Sequence, residues 1–371
     1  MELKKYKVCH VTSVHSWNDI RIFQKQCVSL AKSHFDVFLV AGGGVSGVFD
    51  NVNIVNVELQ KQGRFYRFFS FRKKIITKAL EIDADIYHFH DPELLPYGKM
   101  LLKKGKKIIF DSHEDVPNDI LDKDWIRPNI LKVIISKIYN FYEKRITKKY
   151  SGVISVLESI TSKFNHPNSI TIHNYPILSN SNFEKDSVTI LPDKYRIVYN
   201  GGLSRIRGIH VLIESLSFLN NDFVLVLMGS WETLEYENKC KQIKGWEKVL
   251  YLGNLTLEEC HSILGDCDLG VVLFENIPNH ANSLPNKAFE FIAAKIPMLM
   301  SSFDFWIKEF GSYAHFVNEK MPNQIANKIK EIKMNDTNEK EKASKSLILK
   351  DKSWEDESKK LVMFYEQIFK L

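Results

Sequence analysis

Apolar residues along this chain fall into short runs, separated by longer stretches in which they recur every three or four positions. The runs "KVCHVT" (7–12), "FDVFLVA" (35–41), "IYHFH" (86–90), "KIIFDS" (107–112) and "GVISVL" (152–157) have the length and β-branched content of buried strands. Between them, "IRIFQKQCVSLAKS", "RFFSFRKKIITKALE", "ELLPYGKMLLKK" and "NILKVIISKIYNFYEKRITKKY" carry the helical period. Strands alternating with helices predict a parallel sheet covered on both faces. The polar stretch 171–194, with Pro176 and Pro192, interrupts the pattern and reads as a linker. Alternation then resumes with "YRIVYN", "FVLVLMG", "KVLYLG", "DLGVVLF" and "PMLMSS". The prediction is an α/β chain of two Rossmann-like domains, 1–175 and 190–352, with a closing segment 353–371. Ligands of two such sheets are expected in a cleft at their carboxyl edges.

Composition narrows the class. A chain of 371 residues suits two cores better than one. Hydrophobic content of 44% with 26% charged residues is that of a globular protein, and no apolar run approaches the roughly 18–20 residues of a membrane span. The opening "MELKKYKVCHVTS" lacks the apolar region of a signal peptide, and the scattered Cys9, Cys27, Cys240, Cys260 and Cys267 form no C-x-x-C pair. We therefore expect a cytoplasmic protein with reduced thiols and no zinc site.

The charge is uneven. Residues 1–175 hold 27 Lys+Arg against 18 Asp+Glu, and the remainder 24 against 27. The excess is densest in Lys61–Lys78, with seven basic residues, no acid, four Phe and one Tyr. Basic side chains interleaved with aromatics suit an anionic membrane surface. Nucleic acid and a solvated helix flank are the competing readings, and of the two anionic partners we expect the membrane and no nucleic acid.

Candidate chemistry gathers at predicted strand ends. "YNGGLSRIRGIHVLIESL" runs from a strand through Gly201 and Gly202 to a helix opening at Gly208, with Arg205 and Arg207 placed to grip phosphate. A tight turn with surface arginines would look the same. "LFENIPNHANSLPNK" leads into a helix near Pro285 or Asn286, whose free N–H groups and Lys287 suit an anion. Glu290, one turn in, suits the vicinal hydroxyls of a ribose; the alternative is a solvated Lys287–Glu290 pair. Two anion cradles and a carboxylate fit a nucleoside diphosphate. In the first half, "HFHDPELL" ends a strand with His88, His90 and Asp91, and "FDSHEDVP" ends the next with Asp111, His113, Glu114 and Asp115. The loop 13–23 adds His15, Asp19 and Arg21 at that edge. His-x-His can ligate a metal, but no third ligand has a characteristic spacing, and we expect none. A P-loop, a G-x-G-x-x-G after the first strand and a hydrolase elbow are absent.

Taken in order, "HFHDPELL", "FDSHEDVP", "YNGGLSRIRGIHVLIESL" and "LPNKAFEFIAAKIPMLMSS" resemble the family 4 retaining glycosyltransferases of GT-B fold, above all bacterial enzymes of polysaccharide and lipid-linked oligosaccharide assembly. The resemblance runs through "SWEDESKKLVMFYEQIF", which looks like that family's last helix packing back on the first domain. It implies a sugar transferred from a nucleotide donor with retention and without a bound metal or other cofactor. It also implies that Arg207, Asn286 and Lys287 hold the donor diphosphate, with Gly201, Gly202, Arg205, Ser283, Leu284 and Pro285 around them, that Glu290 binds the ribose, and that His113 contacts the donor sugar. Two positions depart from the pattern: Asn282 stands where the family has a first glutamate, and Gly202 where it often has arginine. An amide at 282 can hydrogen-bond a sugar but cannot set a negative charge against an oxocarbenium-like centre.

The reading is a peripheral enzyme on the inner face of the membrane, transferring from a UDP- or GDP-sugar to a glycan or polyprenyl-linked acceptor. His113 and Asn282 are its catalytic candidates, and His15, Asp19, His90 and Asp91 line the acceptor side. The rivals are a non-catalytic partner subunit of the same fold and a GT-B-type sugar-nucleotide epimerase. The basic aromatic stretch, which a soluble substrate would not need, weighs against the epimerase.

Overall fold

A computed structural model of the protein describes residues 6–58, 70–121, 123, 126–178, 191–346 and 348–370. Lys61–Phe69, with three of the seven basic residues and four of the five aromatics of the basic aromatic stretch, lies outside them, as does 179–190 of the linker. The chain forms two compact units, Met1–Asn174 with Trp354–Leu371, and Tyr175–Ser353.

The first unit is built on β1 (Lys7–Ser16), β2 (Asp36–Gly42), β3 (Gly47–Phe49), β4 (Val52–Val57), β5 (Ile86–Phe89), β6 (Lys107–Ser112), β7 (Gly152–Ser155) and β8 (Ser169–Thr171), in the spatial order β3-β4-β2-β1-β5-β6-β7-β8. All pairings are parallel except the edge pair β3–β4. The five predicted strands are present. β4 was not foreseen because Asn53 and Asn56 break its apolar run; Asn53 instead donates to Val37 O across the sheet (3.2 Å). The chain starts at β1, winds one way to β4, then returns to β5, so the order reverses between β1 and β5. At such a switch point the connections leave in opposite directions and open a crevice at the carboxyl edge.

Helix Trp354–Lys370 closes this unit, as the resemblance implies. It buries Trp354, Leu361, Phe364, Tyr365 and Ile368. Gly152 on β7 makes room for it: a Cβ there would lie 2.6 Å from the Phe364 ring and 2.7 Å from Ile368. Trp354 Nε1 donates to Ser29 Oγ at 2.9 Å, fixing the first turn.

Helix Asn129–Thr147 covers the unit the wrong way round. It buries Ser136, Glu143 and Thr147 and turns Ile130, Ile134, Ile138 and Phe141 to the outside.

The second unit holds β9 (Tyr195–Asn200), β10 (Phe223–Met228), β11 (Val249–Gly253), β12 (Leu269–Val272), β13 (Met298–Ser301) and β14 (Ala314–Val317), all parallel, in the order β11-β10-β9-β12-β13-β14. Every residue of β10, β12 and β13 is buried, as expected for strands covered on both faces. Here the order reverses between β9 and β12. β14, "AHFV", is too short to stand out in the sequence.

Candidate functional site

In the second unit the predicted donor residues meet at the β9–β12 switch point. β9 ends at Asn200 and turns through Gly201, whose φ of 115° is open to glycine but strained for other residues. A 3₁₀ turn, Arg205–Arg207, precedes helix Ile209–Ser215. A Cβ on Gly201 would lie 3.3 Å from Lys287 Nζ and 3.7 Å from Arg207 Nη1, so both basic heads converge over this glycine. A Cβ on Gly202 would be 2.6 Å from Arg207 Nη1, which donates to Gly202 O at 3.2 Å.

Lys287 is buried, which a lysine seldom is without a partner. Its ammonium lies 4.6 Å from the Tyr199 ring centre and 4.8 Å from that of Phe274, with Tyr199 Oη at 3.4 Å. Burial, with the nearby Arg207 charge, pulls its pKa down to about 7, against the opposing pull of Glu290. The solvated Lys287–Glu290 pair is therefore not what forms. Glu290 Oε2 instead accepts from Asn200 Nδ2 at 2.5 Å, and Asn200 Oδ1 is buried with no hydrogen-bond partner. Sequence reasoning passed over Asn200, Tyr199 and Phe274. The "YN" before the double glycine was the available signal for the first two.

The helix that carries Lys287 and Glu290 runs Asn286–Ala293, with Pro285 at its N-cap in extended geometry and no side chain capping its first N–H groups. The loop before it is pinned by Trp306 Nε1 donating to Ser283 O (2.7 Å) and by Ser283 Oγ donating to His280 O (3.1 Å). Leu284 packs on the core, while Asn282 and Asn286 are exposed. Arg205 stands apart from the cluster: it is 72% exposed and faces Glu275 at 3.7 Å. Uncompensated positive charge over a glycine turn, beside free helix N–H groups, is built to hold a multiply charged anion.

Gly229, after β10, holds this turn from below. Its φ is 133°, and a Cβ there would lie 1.9 Å from Gly201 O. Gly229→Ala is expected to cost about 2 kcal/mol or more in a urea unfolding curve, because backbone must move. A loss within error would mean the Gly201 turn is free to shift.

In the first unit the predicted acceptor residues meet at the β1–β5 switch point. His10 pairs with His88 across β1 and β5. Parallel pairing of β5 with β6 sets His90 beside Asp111. His10 Nδ1 lies 2.9 Å from His90 Nε2, and His90 Nδ1 lies 3.1 Å from His113 Nε2. His113 Nε2 is 3.2 Å from Asp111 Oδ2. Asp111 is fully buried and accepts two bonds from Arg21 (3.1 and 2.9 Å) and one from Gln26 Nε2 (2.6 Å). Burial opposes its charge most strongly, but the Arg21 guanidinium together with His113 and His90 outweighs it and holds the carboxyl well below the usual range. Burial lowers His10, His88 and His90 well below an ordinary histidine, so these three are neutral at pH 7.

Two triplets, His10–His88–His90 and His90–Asp111–His113, bring their ligand atoms within 4.8 Å of one another, close enough to share an ion. Most of their atoms already have partners inside the row or on Arg21, Gln26 and Tyr365, whose Oη is 2.6 Å from His88 Nδ1, while His88 Nε2 is buried with none. Asp91 is held by Thr12 Oγ1 (3.0 Å), the Ser13 amide (2.5 Å) and the Val14 amide (3.3 Å), with His15 Nε2 at 3.6 Å. Asp19 caps the π-helical run Ile20–Cys27 through the Ile22 amide (2.9 Å) and faces His15 at 3.5 Å. His15, Asp19, His90, Asp91 and His113 therefore form one connected edge, and Tyr365 is a member that sequence reasoning missed.

Residues 180–347 match the family model of glycosyl transferases group 1. No curated protein matches the chain. Among solved structures, a sucrose-phosphate synthase from Thermosynechococcus elongatus is similar with a TM-score of 0.74 at 13% identity, over 98% of this chain and 99% of that one. Anabaena HepE in complex with UDP and glucose gives 0.71 at 14%, over 98% and 99%. A glycosyltransferase from Rickettsia africae gives 0.69 at 16%, over 99% and 100%. At these identities the likeness establishes the fold, two parallel-sheet α/β units of GT-B type. The family match lies within the second unit.

Proposed function

We propose that this chain is a retaining, metal-independent glycosyltransferase that moves a sugar from a UDP- or GDP-sugar to a glycan or polyprenyl-linked acceptor in surface polysaccharide assembly. The observation that carries the reading is the convergence of Arg207 and Lys287 over the Gly201 turn, with Glu290 alongside. Solved relatives holding UDP or UDP-glucose in the same fold support it. In the proposed reaction the anomeric carbon–oxygen bond breaks and its electron pair leaves with the nucleoside diphosphate. Arg207, Lys287 and the first amides of helix Asn286–Ala293 take up that charge. The acceptor oxygen bonds to the same face of the sugar, and its proton passes to the departing phosphate. Ser283, Leu284 and Pro285 shape the donor loop, and Arg205 adds long-range attraction from its exposed position. His113 positions the sugar, while His15, Asp19, His90 and Asp91 serve the acceptor.

The test is calorimetric titration of UDP and of GDP, with EDTA present, into wild type and Arg207→Ala. One nucleotide is expected to bind, and the variant to bind it about tenfold more weakly, the worth of one charged hydrogen bond. Asn282, exposed where the resemblance has glutamate, favours a second reading as a non-catalytic partner subunit. Binding of neither nucleotide, or binding with no turnover of any donor until another protein is added, would select it. The reading also sets the protein on the inner membrane face.

A further inference from the structure

Helix Asn129–Thr147 is amphipathic in the inverted sense, and inversion has a cost that something must offset. Ile130, Phe141, Ile134 and Ile138 lie at spacings of four, four and three in chain order, so they form a single stripe. They are 69%, 67%, 48% and 64% exposed, and Leu131, Val133 and Ile135 flank them in the open. Solvated isoleucines scattered singly are ordinary; a continuous stripe nearly three turns long is not. The opposite stripe is polar and buried, with Ser136 Oγ donating to Pro117 O (2.6 Å) and Tyr139 Oη to Glu143 Oε1 (3.1 Å). A helix whose polar face is anchored by hydrogen bonds cannot roll to hide its apolar one.

Charge identifies the occupant. From Arg127 to Lys149 the chain carries seven basic residues (Arg127, Lys132, Lys137, Lys144, Arg145, Lys148, Lys149) and one acid, Glu143. Glu143 is turned inward, where burial pushes its carboxyl up to about 7. The outward face is therefore apolar at its centre and only positive around it, with Lys137, Arg145 and Lys148 exposed beside the stripe. A second copy docking here would set those cations against themselves. A nucleic acid would leave the isoleucines and Phe141 with nothing to bury them. A sheet of anionic headgroups over hydrocarbon satisfies both halves of the pattern. Among the described residues no helix is long and apolar enough to cross a membrane, so this one lies along the surface.

We infer that the outward face of helix Asn129–Thr147 seats the protein on an anionic lipid layer, its isoleucines and Phe141 in the acyl boundary and its lysines and arginines among the headgroups. The inference takes the membrane contact from the reading above and moves it to a different part of the chain; it needs no transfer chemistry.

The experiment is flotation with vesicles of phosphatidylcholine alone or mixed in equal parts with phosphatidylglycerol, using the full chain. Wild type is expected to float with the mixed vesicles. Ile134→Ser/Ile138→Ser/Phe141→Ser is expected to lose at least about tenfold in partitioning, since each buried CH₂ removed is worth close to 0.8 kcal/mol. Lys137→Glu/Arg145→Glu should lose the preference for phosphatidylglycerol, and Lys61→Gln/Arg64→Gln/Arg67→Gln should float like wild type. All the substituted helix positions are exposed; a circular-dichroism melt checks each fold, and a UDP titration reads the donor site independently. Wild type that stays with neither vesicle, or a triple serine variant that floats unchanged, overturns the inference. So does a wild-type dimer in sedimentation that the serine variant dissolves, which would make the face a contact between copies.

Discussion

Lys287→Ala is expected to weaken nucleoside diphosphate binding by about ten- to a hundredfold, the loss of one or two charge-assisted hydrogen bonds in a site with little water. It should also remove a pH dependence that wild type has. With its pKa near 7 in the free protein, Lys287 is largely neutral at pH 8 to 9. A bound diphosphate favours the ammonium, so binding above pH 7 must take up a proton. Affinity then falls by up to about tenfold per pH unit until the pKa of the bound form is reached. The window from pH 7.5 to 9 isolates this effect, because the phosphate's own second ionisation, near 6, is already complete. Calorimetry in two buffers of different ionisation enthalpy at pH 8.5 should show close to one proton taken up by wild type and none by the variant. Equal affinity at pH 7.5 and 9 in wild type would refute the placement.

The same residue carries a stability signature. An unfolded lysine titrates at 10.5, so between pH 7 and about 10 the unfolded chain binds a proton that the folded chain refuses. Stability therefore falls as pH drops through that window, by about 1.4 kcal/mol per unit for this one group. A charge buried at such cost is one kept for a ligand, and Lys287→Met should raise the urea midpoint at pH 7 while losing the nucleotide.

How much of this was legible depends on whether the signal is periodic or a matter of facing. The strands of both sheets announce themselves as apolar runs, and their alternation with helices suffices for parallel order. β4 and β14 escape because asparagines or sheer shortness spoil the run. Periodicity also finds helix Asn129–Thr147, but a three-four repeat gives only the stripe, not the side it faces. That side is marked by Pro117 O, which accepts from Ser136 Oγ and lies outside the helix, where no three-four repeat records it. The same limit divides Arg205 from Arg207. Two residues apart on one 3₁₀ turn, they leave in different directions, and only Arg207 reaches the glycines. Asn200 bonds Glu290 from 90 residues away, a contact that no local pattern contains.

Acid is expected to destabilise the first unit with a slope set by its buried histidine row. His10, His88 and His90 are each held neutral by burial, with pKa values well below the 6.5 of an unfolded histidine. As pH falls below 6.5 the unfolded chain therefore gains three protons that the folded chain does not, and stability drops. Glu143 works in the opposite direction. Its folded carboxyl titrates near 7 against 4.5 unfolded, so between those values the folded state holds one proton more. Asp111 contributes nothing to the slope here, because its depressed pKa matters only below 3.8. Three protons against one leave a net uptake of up to two by the unfolded chain, so stability is expected to fall as pH drops from 6 toward 4.5. The protons belong to the row as a whole, since its members couple through contacts of 2.9 and 3.1 Å. Hydrogen-exchange protection of the β1 and β5 amides, corrected for intrinsic rates, reads this free energy within the unit itself. His88→Phe should roughly halve the slope, because it removes one of the three titrating rings while keeping the ring contacts to His10 and His90, with the 2.6 Å contact to Tyr365 Oη lost. A flat profile would mean that one member of the row, with Asp111 beside it, carries a proton in the folded state. His113, at the open end of that row, would then stand beside a cation, and the role proposed for it at a donor sugar would have to be rewritten around a positive edge.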